Sequence, residues 1–273
     1  MDARLQRRVQ RYGWDKAVRH YEQFWARQLE PSQELLLEMA ELRAGEKVLD
    51  VACGTGLVTL PAAEAVGPDG HVTGTDISEQ MVLALADEAK KKSLEHVSYE
   101  RLDAEDLRLP DDRFDAALCA LGLMYFPEPI RAMVEMHRVL RPGGRCVAAV
   151  WGERKNCGWA EIFPIVDARV ESEVCPLFFQ LGTGEALRYA FEAGGFTDIR
   201  IQRLSTILEY ETAEDACGAA FAGGPVALAY SRFDEETREA AHAEYIDSIS
   251  GFRNGNGYEI PGEFVIGLGR VEK

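Results

Sequence analysis

The sequence predicts an α/β fold, a mostly parallel sheet covered by helices on both faces, with an antiparallel pair at one edge. Three observations predict it. Five short apolar runs, starting at residues 46, 71, 97, 114 and 144, alternate with helix-like stretches, the rhythm of repeated βα crossover units. The first run ends in a glycine turn. Two later runs, 199–210 and 263–271, stand apart from that rhythm and read as antiparallel neighbours, with helical segments inserted between them.

Taken in order, residues 1–45 are expected to form helix and to fold over the strand ends as a lid. EKVLDV (46–51) is a short apolar strand, followed by the turn CGTG and an Ala-rich stretch to Val66. Pro61 conflicts with a helix starting at Gly56, so that helix is expected to start late or to kink. HVTGTD (71–76) is a second strand, and Ser78 to Lys92 then places Val82, Leu85, Ala86 and Ala89 on one helical face. VSYERL (97–102) is polar enough for an edge strand. FDAALCAL (114–121) is apolar enough to be buried on both faces. Pro129 opens a helix with Ile130, Met133, Val134 and His137 on one side, which Arg141-Pro142-Gly143-Gly144 stops before the strand GRCVAAVW (144–151). His137 reads as structural. Helical pieces are expected near Trp159–Ser172, Gly184–Ala193, 213–222 and 234–250, and the glycine-rich 251–262 reads as a flexible loop. The domain division that follows is 1–45 for the lid and 46–273 for the body, with a core at 46–151 and a variable part at 152–273.

Composition limits the function. Thirty Lys+Arg against 46 Asp+Glu give a net charge of −16, which disfavours nucleic-acid and anionic-membrane partners. The basic clusters Arg4–Arg11 and Lys90–Lys92 read as solvated helix faces. The longest apolar run, Ala116 to Phe126, falls short of the roughly 18 residues of a membrane span. No apolar segment follows MDARLQRRVQR, so no signal peptide is expected. The six cysteines show no C-x-x-C and no ligand spacing, which points to reduced thiols, no metal and a cytoplasmic location.

Chemistry concentrates at the first turn. In VLDVACGTG (48–56) a strand runs into glycines that let backbone approach a ligand. Twenty residues after Gly56 the second strand ends in Asp76, placed to accept both hydroxyls of a ribose while also suiting a helix start near Ser78. The third strand ends at Leu102-Asp103-Ala104, where Asp103 is placed to accept from an adenine amino group. Together these describe a nucleoside-shaped site at the carboxyl ends of adjacent strands. A nicotinamide dinucleotide fits less well. The third fingerprint glycine would fall at Thr59, and Asp50 would face a pyrophosphate but suits a ligand ammonium group.

In VLDVACGTG, TDIS, LDAEDLRLPDDRFD and EMHRVLRPGG, in this order and spacing, the chain resembles class I S-adenosylmethionine-dependent methyltransferases, in particular the ubiquinone/menaquinone biosynthesis group and its small-molecule relatives. The resemblance covers 45–151. It implies a Rossmann-like sheet of seven strands with an antiparallel final strand, and S-adenosyl-L-methionine as cofactor. Asp50, Ala52 and the Gly54-Thr55-Gly56 backbone would hold the methionine moiety, and Asp76 the ribose. Ile77 and Met81 would lie against the adenine, whose edge Asp103 and Ala104 would read. The backbone from Cys119 to Leu121 would lie under the sulfonium. Quinone C-methylating members carry Arg-Asn where this chain has Met124-Tyr125, so a quinone acceptor is not carried over.

Methyl transfer from a sulfonium needs positioning and exclusion of water more than a catalytic triad. The acceptor pocket is expected above the strand ends. Trp14, Phe24, Trp25, Tyr21 and His20 come from the N-terminal helix, Tyr21 as the first choice for contact and His20 as a candidate base. Met124 and Tyr125 follow the fourth strand. Trp151, Asn156 and Trp159 follow the fifth, with Asn156 as the polar anchor. The acceptor is read as a small molecule with an apolar or planar part and a carbon, oxygen or nitrogen nucleophile. The competing readings are a nicotinamide-dependent reductase and a non-catalytic nucleoside-binding protein.

Overall fold

The structure is a computed structural model and describes residues 3–170 and 178–272. A 38-residue helix, α1 (Ala3–Ala40), opens the chain. It is followed by β1 (Lys47–Val51), α2 (Thr59–Val66), β2 (His71–Asp76), α3 (Glu79–Lys91), β3 (Val97–Arg101) and β4 (Phe114–Ala120). Helix α4 (Pro129–Val139) leads into β5 (Leu140–Trp151). Then come α5 (Ile162–Asp167), α6 (Ala186–Ala193), β6 (Thr197–Tyr210), α7 (Ala213–Cys217), α8 (Ala227–Tyr230) and α9 (Glu235–Ser248). The hairpin of β7 (Arg253–Asn254) and β8 (Gly257–Arg270) closes the fold.

The strands lie in the order β3-β2-β1-β4-β5-β8-β6, with β7 paired to β8 alone. Strands β1 to β5 pair in parallel, and β8 inserts antiparallel between β5 and β6. This is the expected seven-stranded sheet with an antiparallel last strand, plus one short strand. The crossovers run outward from β1 in one direction and from β4 in the other, so the order reverses between these two strands. In doubly wound sheets a crevice opens at that point, outside the carboxyl ends.

The local reading holds in several places and fails in two. Strand β3 is the edge, and β4 is central and buried. Helix α2 starts late, at Thr59, which puts Pro61 in its first turn, where a missing N–H costs nothing. Helix α4 buries Ala132, Met133, Met136 and Val139, whereas Ile130 (38%) and Val134 (46%) are exposed, so the expected face is wrong. His137 packs against the ring of Phe196 at 5.1 Å, a structural contact. Residues 251–262 are not a loop. Asn254 pairs with Gly257 across a two-residue turn in which Gly255 takes φ +60°, and β8 continues from there to pair with all but the bulged part of β6. Of the helical piece expected at Trp159–Ser172, α5 forms, and Ser172 lies outside the described residues.

Arg145 on β5 ties the end of α1 to the sheet. Its guanidinium donates to the Ala40 and Glu41 carbonyls and to both carboxylate oxygens of Glu46, at 3.0 and 2.7 Å. Five cysteines are buried free thiols, and Cys175 lies outside the described residues. Among the described residues no cluster of His, Cys, Asp and Glu could hold a metal, and no helix is long and apolar enough to cross a membrane.

Candidate active site

A cleft opens at the carboxyl ends of β1, β2 and β4, roofed by α1. Its floor is the glycine turn. Gly54 takes φ +55° and Gly56 φ +102°, and a side chain at Gly56 would run into Leu85 at 2.6 Å. Ala52 (φ +56°) and Leu121 (φ +60°) hold the left-handed conformation without being glycines, at the ends of β1 and β4. Such strain persists only where surrounding structure enforces it, and it concentrates at functional sites. The two ends touch closely: a Cβ at Gly122 would lie 2.5 Å from that of Ala52.

Asp76 at the end of β2 organises the floor. Its Oδ2 accepts from the Gly54 N–H at 3.0 Å and its Oδ1 from the Ser78 N–H at 2.8 Å. Burial nevertheless pushes its carboxyl up to about 6, with the backbone N–H groups of Ser78, Gly54 and Ile77 opposing the shift. Ser78, not Asp76, caps α3 by accepting from Met81 N–H at 3.2 Å. Asp50 lies beneath the turn, 1% exposed and off the cleft wall. Burial pushes it up to about 7, against the hydrogen bond that its Oδ2 accepts from Thr59 at 2.6 Å. Asp50 Oδ1 and the Thr55 hydroxyl are buried without a partner among the described residues. Unsatisfied buried acceptors at a glycine turn suit the polar end of an amino-acid ligand.

The roof comes from α1. Asp15 accepts from Ser78 Oγ at 2.6 Å, fixing α1 across the start of α3. Arg7 pairs with Asp103 at 3.0 Å and with Glu105. Asp103 is half-buried, and that burial raises its carboxyl above the ordinary range despite Arg7. Gln10, Trp14 and Tyr21 line the cleft from above, and the Tyr21 ring stands about 4.0 Å from where a Gly54 side chain would begin. Burial first, then the charges of Asp76, Glu22 and Asp50, hold the Tyr21 hydroxyl protonated.

A second, smaller cavity adjoins the first through a wall of Trp14, Tyr21, Leu121 and Tyr125. Trp25, Met124, Trp151, Trp159, Phe178 and the Gly223–Pro225 turn complete it. Trp151 and Trp159 pack with ring centroids 4.9 Å apart, and Trp25 sits 5.9 Å from both. No acidic or basic side chain is among its described lining residues.

The expected site residues therefore divide. Ala52, Gly54, Asp76, Ile77, Met81, Asp103, Ala104, Leu121, Tyr21 and Tyr125 line the first cleft, and Trp25, Met124 and Trp151 the second. Asp50, Thr55 and Cys119 are buried behind the wall. Two expectations are not met. His20 is exposed and stacks on Phe24 at 6.2 Å, turned away from both cavities because consecutive helical residues point about 100° apart. Asn156 sits in a 3₁₀ turn (Arg154–Asn156) and reaches neither cavity. The sequence reading missed Arg7, Gln10, Glu105, Phe178 and the Gly223–Pro225 turn. Only the Gly-Gly-Pro turn carries a local signal, and that signal gives no position in space.

Comparison with known proteins agrees with this geometry. The methyltransferase domain family matches residues 48–144. A demethylmenaquinone methyltransferase of Listeria welshimeri is 35% identical over 127 residues, 46% of this chain and 54% of that protein, so the match spans about half of that relative. The nocamycin O-methyltransferase of Saccharothrix syringae is 30% identical over 234 residues, covering 81% of this chain and 83% of that protein. The crystal structure of the YcgJ protein from Bacillus subtilis aligns with a TM-score of 0.63 at 20% identity, over 89% of this chain and 99% of that one, which speaks to fold alone. With the glycine turn, the acidic strand ends and a relative matched over most of both chains, this chain belongs to the class I S-adenosylmethionine-dependent methyltransferases.

Proposed function

We propose that the protein transfers a methyl group from S-adenosylmethionine to a small-molecule acceptor with an apolar or planar part. One observation carries this reading: a cleft with an acid at its ribose position shares Trp14, Tyr21, Leu121 and Tyr125 with an adjoining aromatic cavity that has no charged side chain among its described lining residues. Asp76 would accept from the ribose, Ile77 and Met81 would flank the adenine, and Asp103 with Ala104 would read its edge. Asp50 Oδ1 and Thr55 would meet the methionine end. The bound sulfonium supplies an activated methyl, so the residues of this chain orient the acceptor and exclude water, work that well-placed groups convert into roughly 7–11 kcal/mol of barrier. Tyr21, kept protonated, serves as donor and spacer instead of base. The two relatives are named for different acceptors, so neither name transfers here.

Calorimetric titration tests the reading. S-adenosylhomocysteine should bind with micromolar affinity and NAD(H) or NADP(H) should not. The reverse result would establish the reductase, and binding without transfer to any acceptor would favour a nucleoside-binding role. Affinity should also depend on pH. Between the usual carboxylate range and about pH 7, folded Asp50 holds a proton that the unfolded chain has released. Its contribution to the stability of the ligand-free protein is therefore lost as pH rises through that window. A ligand ammonium beside Oδ1 needs the ionised form, so affinity should climb by at most about tenfold per pH unit up to about 7, then level off. Asp76, at about 6, adds to the slope only below that pH. Asp50→Asn should remove the rise between pH 6 and 7.

A further inference from the structure

We propose that the methyl acceptor is an oxygen acid on a planar apolar body, held in the aromatic cavity with its oxygen accepting a hydrogen bond from the Trp159 indole N–H. The proposal rests on the methyltransferase reading above and adds the acceptor's chemical class. Among the described residues Trp159 Nε1 is buried without a hydrogen-bond partner, and Trp159 belongs to this cavity's wall. The neighbouring indole is different: Trp25 donates to the Ala219 carbonyl at 3.2 Å. A buried N–H left unpaired costs about 1–3 kcal/mol, which an accepting atom on a ligand would recover.

The same wall narrows what carries that atom. Three indoles within 5.9 Å of one another would attract an ammonium through their faces. An ammonium, however, brings only donors, and it would leave the Trp159 N–H unmatched. Among the described residues the wall also offers no Asp, Glu, His, Lys or Arg to take a proton. An oxygen that enters already ionised, as a carboxylate or an acidic enol or phenol does near neutral pH, needs no such base and presents an acceptor to the Trp159 N–H.

The electron balance is simple. The acceptor gives its proton to solvent before entering. Its oxygen lone pair forms the bond to the methyl carbon as the carbon–sulfur bond breaks, and the broken bond's electron pair stays on sulfur. The opposite charges of oxygen and sulfonium cancel in that step, and a low-dielectric wall strengthens the attraction between them beforehand.

The test uses the full chain loaded with S-adenosylhomocysteine and four planar probes: 2-naphthoate, 4-hydroxycoumarin, 2-methylnaphthalene and 2-naphthyltrimethylammonium. At least one of the first two should bind tenfold or more tighter than 2-methylnaphthalene. Which one does distinguishes a carboxylate from an enol. Trp159→Phe should erase that advantage while leaving affinity for S-adenosylhomocysteine unchanged, because Trp159 does not line the first cleft. Equal affinity for all probes, tighter binding of the quaternary ammonium, or an advantage that survives in Trp159→Phe would each overturn the assignment. If Trp159→Phe fails to fold, the ranking of the probes on the unaltered protein decides. Absence of S-adenosylhomocysteine binding would instead overturn the methyltransferase reading itself.

Discussion

Replacing Asp76 with alanine should weaken S-adenosylhomocysteine binding about a hundredfold and destabilise the ligand-free fold by about 2–3 kcal/mol. Both effects have one origin. The carboxylate accepts the N–H of Gly54 on one oxygen and that of Ser78 on the other, so it joins the glycine turn of β1 to the start of α3. Hydrogen bonds to a charged group contribute about 1.5–3 kcal/mol each, and removing the acceptor leaves two backbone donors facing a buried space. The proposed ribose contact is lost at the same time. Asp76→Asn should fall between the two, since its amide keeps one acceptor and turns a donor toward the other N–H. Calorimetry and urea unfolding read the two effects separately. Unchanged affinity in Asp76→Ala would place the nucleoside elsewhere.

The largest loss of stability is expected from Arg145→Ala, about 3–5 kcal/mol by denaturant unfolding. Arg145 is 7% exposed and satisfies Glu46 with two hydrogen bonds as well as the carbonyls of Ala40 and Glu41. Removing the buried guanidinium leaves the partly buried Glu46 carboxylate and two backbone carbonyls without their donors, which costs more than the pair itself gains. Burial alone would raise the Glu46 carboxyl, but the Arg145 hydrogen bonds and the Arg43 N–H bring it below its ordinary value. A depressed carboxyl contributes stability above its unfolded pKa, and that contribution is lost as pH falls through the folded value. The unaltered protein should therefore lose stability on acidification below about pH 4.5, and Arg145→Ala should lose less. Its affinity for S-adenosylhomocysteine should change little, because Glu46 and Arg145 lie at the opposite end of β1 from the cleft.

What could be read from the residues follows the range of the interactions. Strands β1 to β5 are legible because each is a local apolar run, and the turn because Gly54 and Gly56, both at positive φ, directly follow the first of them. The Asp76 and Asp103 positions follow from the parallel register, which brings the strand ends level. Side-chain direction is harder. On α4 an apolar count favoured Ile130 and Val134, but the sheet takes the neighbouring face with Met133 and Met136. On α1, Tyr21 and His20 are adjacent in sequence, and only tertiary packing decides which faces Gly54. The β7–β8 turn was misread because four small or polar residues, Asn254 to Gly257, signal a tight hairpin as much as a loop. Phe178 and the Gly223–Pro225 turn reach the aromatic cavity from far along the chain, with no periodicity that would announce it.

Trp14, Tyr21, Leu121 and Tyr125 belong to both cavities, so two guests would press on opposite sides of one partition. Any adjustment of these four side chains that favours one guest is felt by the other. The factor by which the first occupant changes the second's dissociation constant must then equal the factor in the reverse direction. Affinity measured for either guest alone is therefore half of a thermodynamic square, and the empty and doubly filled corners are needed to close it.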